Sequence, residues 1–233
     1  MRAKSAGELE DRWRATRWFA DGSNTLNLRL RRALSWLGRA ERESADADAQ
    51  FVFQWIAFNA MYGQAGTLPA DEKDQDLRRD YFGKIVAFAD AESVIYGAIW
   101  SVLRGEIEKM LDNRYVFEPY WKHRNDQAKY RDWEQKFRQA QERVARALRG
   151  TRTRDVLCEL FNRLYTLRNQ LLHGGATWKS SVNRNQVEPG ARIMSSLVPH
   201  FIEVMIAHPD DWGDPRYPVV QESGPQSGWT GTG

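Results

Sequence analysis

A single cysteine in 233 residues, Cys158, excludes an intrachain disulfide, and no Cys/His spacing resembles a zinc cluster. Cys158 therefore reads as core, and a reducing compartment is the natural setting. Long apolar runs are missing too: no stretch approaches the roughly 20 residues of a membrane span, so no membrane partner is expected. The opening MRAKSAGELEDRWR carries charge where a secretory leader would be apolar, which predicts a cytoplasmic protein. Strand signals are scarce, with no sustained period-two alternation and no Asn-Gly or Asp-Gly between β-branched runs, so the fold class is all-α. There is no glycine-lysine P-loop, which argues against an NTPase.

Aromatic side chains are plentiful by contrast. Ten Trp and ten Phe favour helix contacts filled by large rings. The net charge is only +3, but it is unevenly spread: 120–154 holds eleven Lys/Arg against four acids, and 43–118 seven against fourteen. Basic segments of this kind suit a polyanion, or else they are solvated helix faces. The length fits one core with extensions. The expected layout is basic N-terminal helices over 1–45 packing on a helical domain over 46–207, followed by a disordered tail over 208–233.

Apolar periodicity predicts helices over about 7–20 and 25–42, with Leu26, Leu30, Leu34 and Leu37 on one face of the second. Between 49 and 62 hardly any polar face is left, so this helix should be central and stop at Gly63. Asn59 is the odd residue there: either an amide satisfied inside the core or a substrate contact from a helix beside the site. A loop over 64–76 precedes helices near 77–89, 91–103 and 106–113. Tyr130, Trp133, Phe137, Ala140, Val144 and Ala147 recur at three- and four-residue steps, which sets the aromatics of this basic stretch against a partner helix. A last helix is expected over 190–207, kinked at Pro199.

The best-defined helix covers 151–173, with Leu157, Leu160, Leu164, Leu167 and Leu171 on its stripe and Gly174-Gly175 as stop signal. Its last turn holds Arg168, Asn169 and His173. Arginine is permanently charged and can clamp two phosphate oxygens, whereas histidine exchanges protons near neutral pH, so the pair suits transfer at a phosphodiester. No Asp/Glu cluster accompanies them, so neither metal nor cofactor is expected. A metal-free route needs a nucleophile from the substrate, and the 2′-hydroxyl of RNA supplies one. Five residues rotate Arg168 and His173 about 140° apart, so the two converge only if the helix end turns back or a second copy brings its own motif. Tyr165 and Trp178 are candidate cleft residues with Asn59. A helix cap with Arg168 in a surface ion pair is the plainer reading. His123, in the basic aromatic run, is a weaker candidate and reads rather as an exposed helix-start residue, while His200 and His208 read as structural or terminal.

An Arg, a polar residue, three further positions and a His, late in a long helix of an all-α domain, resembles the HEPN family. The helix FVFQWIAFNAMYG is similar to the N-terminal core helix of its ApeA-like members. The resemblance implies a helical bundle that dimerises through the motif helix, with metal-independent endoribonuclease activity of the kind found in toxin–antitoxin and antiphage systems. RNA as substrate, a homodimer and an antitoxin or regulatory protein are the implied partners, with Arg168, Asn169 and His173 as the catalytic set. Members silenced by adenylylation carry a Tyr two residues beyond the His; here that position is Gly175. The alternative is a non-catalytic HEPN-like module binding RNA, a nucleotide or a protein.

Overall fold

The computed structural model describes residues 2–21, 25–63, 71–88 and 94–218. Among them there is no β-strand, and the all-α expectation holds. The helices are α1 (Ala6–Arg14), α2 (Thr25–Glu41), α3 (Ala47–Tyr62), α4 (Asp71–Ala87), α5 (Arg104–Leu111), α6 (Glu118–Asn125), α7 (Trp133–Arg149), α8 (Thr153–Leu172) and α9 (Arg184–Ala207), with a π-helical turn at Ala98–Val102. None of the described helices is long and apolar enough to cross a membrane.

Apolar side chains occupy nearly every face of α3, so it can be stable only when surrounded, and it packs between α2 and α9 with α8 alongside. Phe58 of α3 is fully buried at the centre of an aromatic cluster. Its ring centroid lies 4.5 Å from Phe161, 4.7 Å from Tyr62 and 5.9 Å from both Tyr81 and Phe82. Burying each such ring contributes about 1.5–3 kcal/mol. Phe58 meets Phe161 while Trp55 meets Tyr165, so α3 and α8 run antiparallel. Where α8 crosses α9, Gly190 admits Leu167 and Phe51 so closely that a Cβ there would stand 2.9 Å from the Leu167 side chain. The Leu face of α2 and Leu9 and Trp13 of α1 belong to the same core.

Four boundaries differ from expectation, each for a local reason. Helix α1 stops at Arg14, because the Thr16 hydroxyl donates to the Trp13 carbonyl and turns the chain. Helix α4 starts at Asp71 rather than 77; its acidic first turns resemble loop composition, yet Asp74 is buried in an ion pair with Arg78. Helix α9 starts at Arg184, tied to α3 by a 2.7 Å ion pair to Asp48, and runs on through Pro189 and Pro199. Finally, 208–218 packs on the core where a disordered tail is expected. Trp212 is buried against Tyr81, and the guanidinium of Arg29 donates to the carbonyls of Met61 and Asp214 at 2.5 and 2.6 Å. The expectations for 64–70, 89–93 and 219–233 lie outside the described residues.

The aromatics of α7 do face a helix: Trp133 packs edge-on to Tyr120 of α6 at 5.0 Å, and Phe137 lies 5.2 Å from Phe117.

Candidate functional site

Helix α8 ends in a Schellman arrangement. Gly174 takes φ +72°, a conformation open to glycine at little cost, and the N–H of Gly175 donates to the Gln170 carbonyl at 2.7 Å. His173 is the capping residue, its N–H on the Asn169 carbonyl at 3.0 Å and its imidazole exposed. At φ −100° and ψ 17° the backbone of His173 has already left the helical range. No hydrogen bond, ion pair or ring contact joins Arg168 to His173 within the described residues of one chain.

Arg168 and Asn169 do form a unit. Arg168 Nη1 donates to Asn169 Oδ1 at 2.8 Å, the guanidinium lies 5.9 Å from the Tyr165 ring centroid, and the buried Nε has no partner. Asn169 and the Tyr165 ring thus aim the cation rather than neutralise it. The plainer reading of Arg168 as half of a surface ion pair does not hold, since no carboxylate pairs with it among the described residues.

Arg168 opens onto a cavity of about 470 Å³ between α2, α3, α8 and the segment 215–217. Tyr165 and Asn59 line it with Arg168, so three of the sequence candidates meet there. The other lining residues were not legible as a set. Arg32 and Trp36 lie on α2, Trp55 on α3, and Arg216 and Tyr217 come from the far end of the described chain. The one local signal is Trp36, a large ring off the Leu stripe of α2, which stacks on Phe53 at 5.6 Å and stays 37% exposed. Among the described residues, Asp74 is the one acid lining the cavity. Its oxygens are taken by the Tyr62 hydroxyl at 3.0 Å, by Arg78 and by Arg216 at 3.1 Å. Burial holds the Tyr62 hydroxyl in its neutral form by raising its pKa. The cavity is accordingly cationic.

His173 and Trp178 do not line this cavity. Trp178 Nε1 donates to Asp46 Oδ2 at 2.7 Å, at the start of α3, whereas Asn59 is near its end. Thirteen residues of helix put the two about 20 Å apart. Trp178 therefore cannot share a pocket with Asn59 in one chain. It is 67% exposed, as are Leu172 (46%) and Val182 (88%), all just before or after the glycine stop.

On the opposite side of Tyr165, whose ring also carries the Arg78 guanidinium at 4.6 Å, a second groove runs between α4, α7 and α8. Arg78, Arg79, Arg143, Arg146 and Arg152 line one stretch of it, and Lys122, Lys136 and Arg163 the next. Glu118, Asp155 and Glu159 are the acids facing them. Arg163 is buried beneath Phe117, at 4.2 Å from its ring, and burial lowers its pKa to about 10. The basic run of 120–154 thus forms a wall of this groove. His123 lies in the last turn of α6, half-buried against Trp133 at 6.1 Å, rather than exposed at a helix start, and His208 stacks on Phe88 at 3.7 Å in a structural position. Among the described residues no group of three His, Cys, Asp or Glu side chains is placed to hold a metal ion.

No family model, no curated protein and no solved structure matches this chain.

Proposed function

We propose that the chain is a metal-independent endoribonuclease of the HEPN kind, active as a homodimer, and that it serves a toxin–antitoxin or antiphage system inside the cell. In this reading one His173 takes the proton of an RNA 2′-hydroxyl as its oxygen attacks the adjacent phosphorus. The bond from phosphorus to the 5′-oxygen breaks, the His173 of the partner subunit protonates the departing oxygen, and a 2′,3′-cyclic phosphate remains. Arg168 stabilises the phosphorane, and Asn169 holds Arg168 in place.

The observation that carries the reading is the Arg168–Asn169 hydrogen bond beside an exposed His173 at a glycine-stopped helix end. A catalytic arginine must be oriented yet uncompensated, and this one is both. The exposed Leu172, Trp178 and Val182 beside it suit a second copy. The basic groove also fits the alternative of a non-catalytic RNA-binding module, which would need the groove but not His173.

Purified protein incubated with single-stranded RNA in excess EDTA separates the two. The expected outcome is cleavage leaving cyclic-phosphate ends, reduced at least a hundredfold in His173→Ala. RNA binding without cleavage would sink the enzyme and favour the module.

A further inference from the structure

The cavity in front of Arg168 combines two kinds of chemistry. Arg32, Arg168 and Arg216 supply positive charge around an acid, Asp74, that is already satisfied by its neighbours. Trp36 and Tyr217, 37% and 62% exposed, supply flat apolar faces, with Trp55 buried behind them. A bare phosphate would have no use for the rings, and a purely apolar ligand would leave the guanidinium groups of Arg32 and Arg168 without an anion. An aromatic ring joined to an anion answers both. Asn59, whose amide makes no hydrogen bond to another described residue, offers a donor and an acceptor to a ring edge. The volume, about 470 Å³, lies within the range of sites for small organic ligands.

We propose that this cavity is a subsite for one nucleotide unit, its base against Trp36 and Tyr217 and its phosphate on Arg168 and Arg32. The assignment rests on the endoribonuclease reading for the idea that the unit belongs to an RNA strand; the chemistry of the cavity fits a free mononucleotide equally. One base held here places its own phosphate at the guanidinium that Asn169 orients, so the subsite selects which nucleotide lies beside the scissile bond. The far wall is the 215–217 segment, held by Arg32 Nη1 on the Tyr217 carbonyl at 2.5 Å and by the Arg216 N–H on the Gly63 carbonyl at 3.3 Å. The subsite is therefore assembled from residues nearly two hundred positions apart in sequence.

Calorimetric titration of the full chain in EDTA tests this, with the four 5′-mononucleotides and with a 2′-O-methyl RNA tetramer that cannot be cleaved. At least one of them should bind, and Trp36→Ala and Arg32→Gln should each weaken that binding roughly tenfold, with Trp36→Phe recovering most of the loss. Trp36 is on the surface, and an unchanged circular dichroism spectrum and melting temperature confirm that each variant is folded. Mononucleotide binding assigns the cavity to free nucleotides, and tetramer binding alone assigns it to a strand. No binding at millimolar ligand, or binding equal in wild type, Trp36→Ala and Arg32→Gln, overturns the proposal. The two readings fail separately. If binding persists but RNA is never cut, the enzyme falls and the subsite stands; if RNA is cut with no nucleotide bound and no effect of Trp36→Ala, the reverse holds.

Discussion

His200 is buried in α9, with its Nδ1 3.9 Å from Glu203 and no hydrogen-bond partner on that nitrogen. Glu203 is itself engaged by Lys4 and Arg12, so it gives the imidazole little support. Burial accordingly lowers the His200 pKa, and the folded state holds the neutral ring. A group depressed in this way contributes stability above its unfolded pKa of about 6.5, and that contribution is lost as pH falls through the folded value. Urea midpoints measured from pH 7.5 to 5 should therefore fall more steeply for wild type than for His200→Gln; parallel curves would show that His200 does not titrate in this window. Residue identities of this sort are only partly legible in sequence. His200 reads as structural because it sits on a helix among Leu197, Phe201 and Met205, which is where it is found. Arg168 reads equally well as a cap or as a site residue, because a sequence does not reveal whether a carboxylate stands within reach. Asn59 reads as a satisfied core amide or a contact, and its place on the cavity wall depends on residues of α2 and the C-terminal segment.

Between elements, Arg29 is a buried polar tie. Its side chain leaves α2, is 2% exposed, and donates to Met61 at the end of α3 and to Asp214 in the C-terminal segment. Burial lowers its pKa to about 10, so it remains charged at neutral pH and both bonds are charge-assisted. Arg29→Met keeps the length but leaves the buried Met61 carbonyl and the part-buried Asp214 carbonyl without this donor, and should cost about 1–3 kcal/mol by urea unfolding. The 208–218 segment should loosen first, so trypsin should cut after Arg216 several-fold faster than in wild type. Equal rates would mean that Trp212 and the contacts of Arg216 and Arg32 hold the segment without Arg29. The helices were legible wherever an apolar stripe repeats, as in α2, α3 and α8, because burial of a continuous face is what stabilises them. Helix α9 was half hidden because a proline at 189 reads as a boundary, although a single missing N–H is tolerated inside a helix buried by so many other contacts. The ordered 208–218 was hidden because its anchors, Trp212 and the Arg29 bonds, are single contacts rather than a repeating pattern.

At the scale of the whole molecule, one chain presents Arg168 on a cavity that His173 does not line, and no contact joins the two side chains among the described residues. The proposed reaction needs two proton-transfer groups, and one motif holds one histidine. Both facts call for a second copy related by a two-fold axis, which would set each His173 against the partner's motif. The surface beside the motif carries Leu172, Trp178 and Val182, exposed by 46, 67 and 88%. Isolated apolar side chains are ordinary on a surface, but three within eleven residues at the end of the motif helix form a candidate patch, to be extended by neighbouring polar groups to the roughly 800 Å² per partner of a stable interface. Sedimentation at micromolar concentration should then give twice the 27.0 kDa chain mass. Val182→Glu should shift the dimer equilibrium toward monomer at least tenfold, because Val182 is almost fully exposed in one chain and its replacement leaves the monomer fold untouched. RNA cleavage should fall with dimer content, and raising the protein concentration should restore it. A wild-type chain that sediments at 27.0 kDa across this range while still cleaving RNA would eliminate the shared site, and would require the base and acid to be found within a single copy.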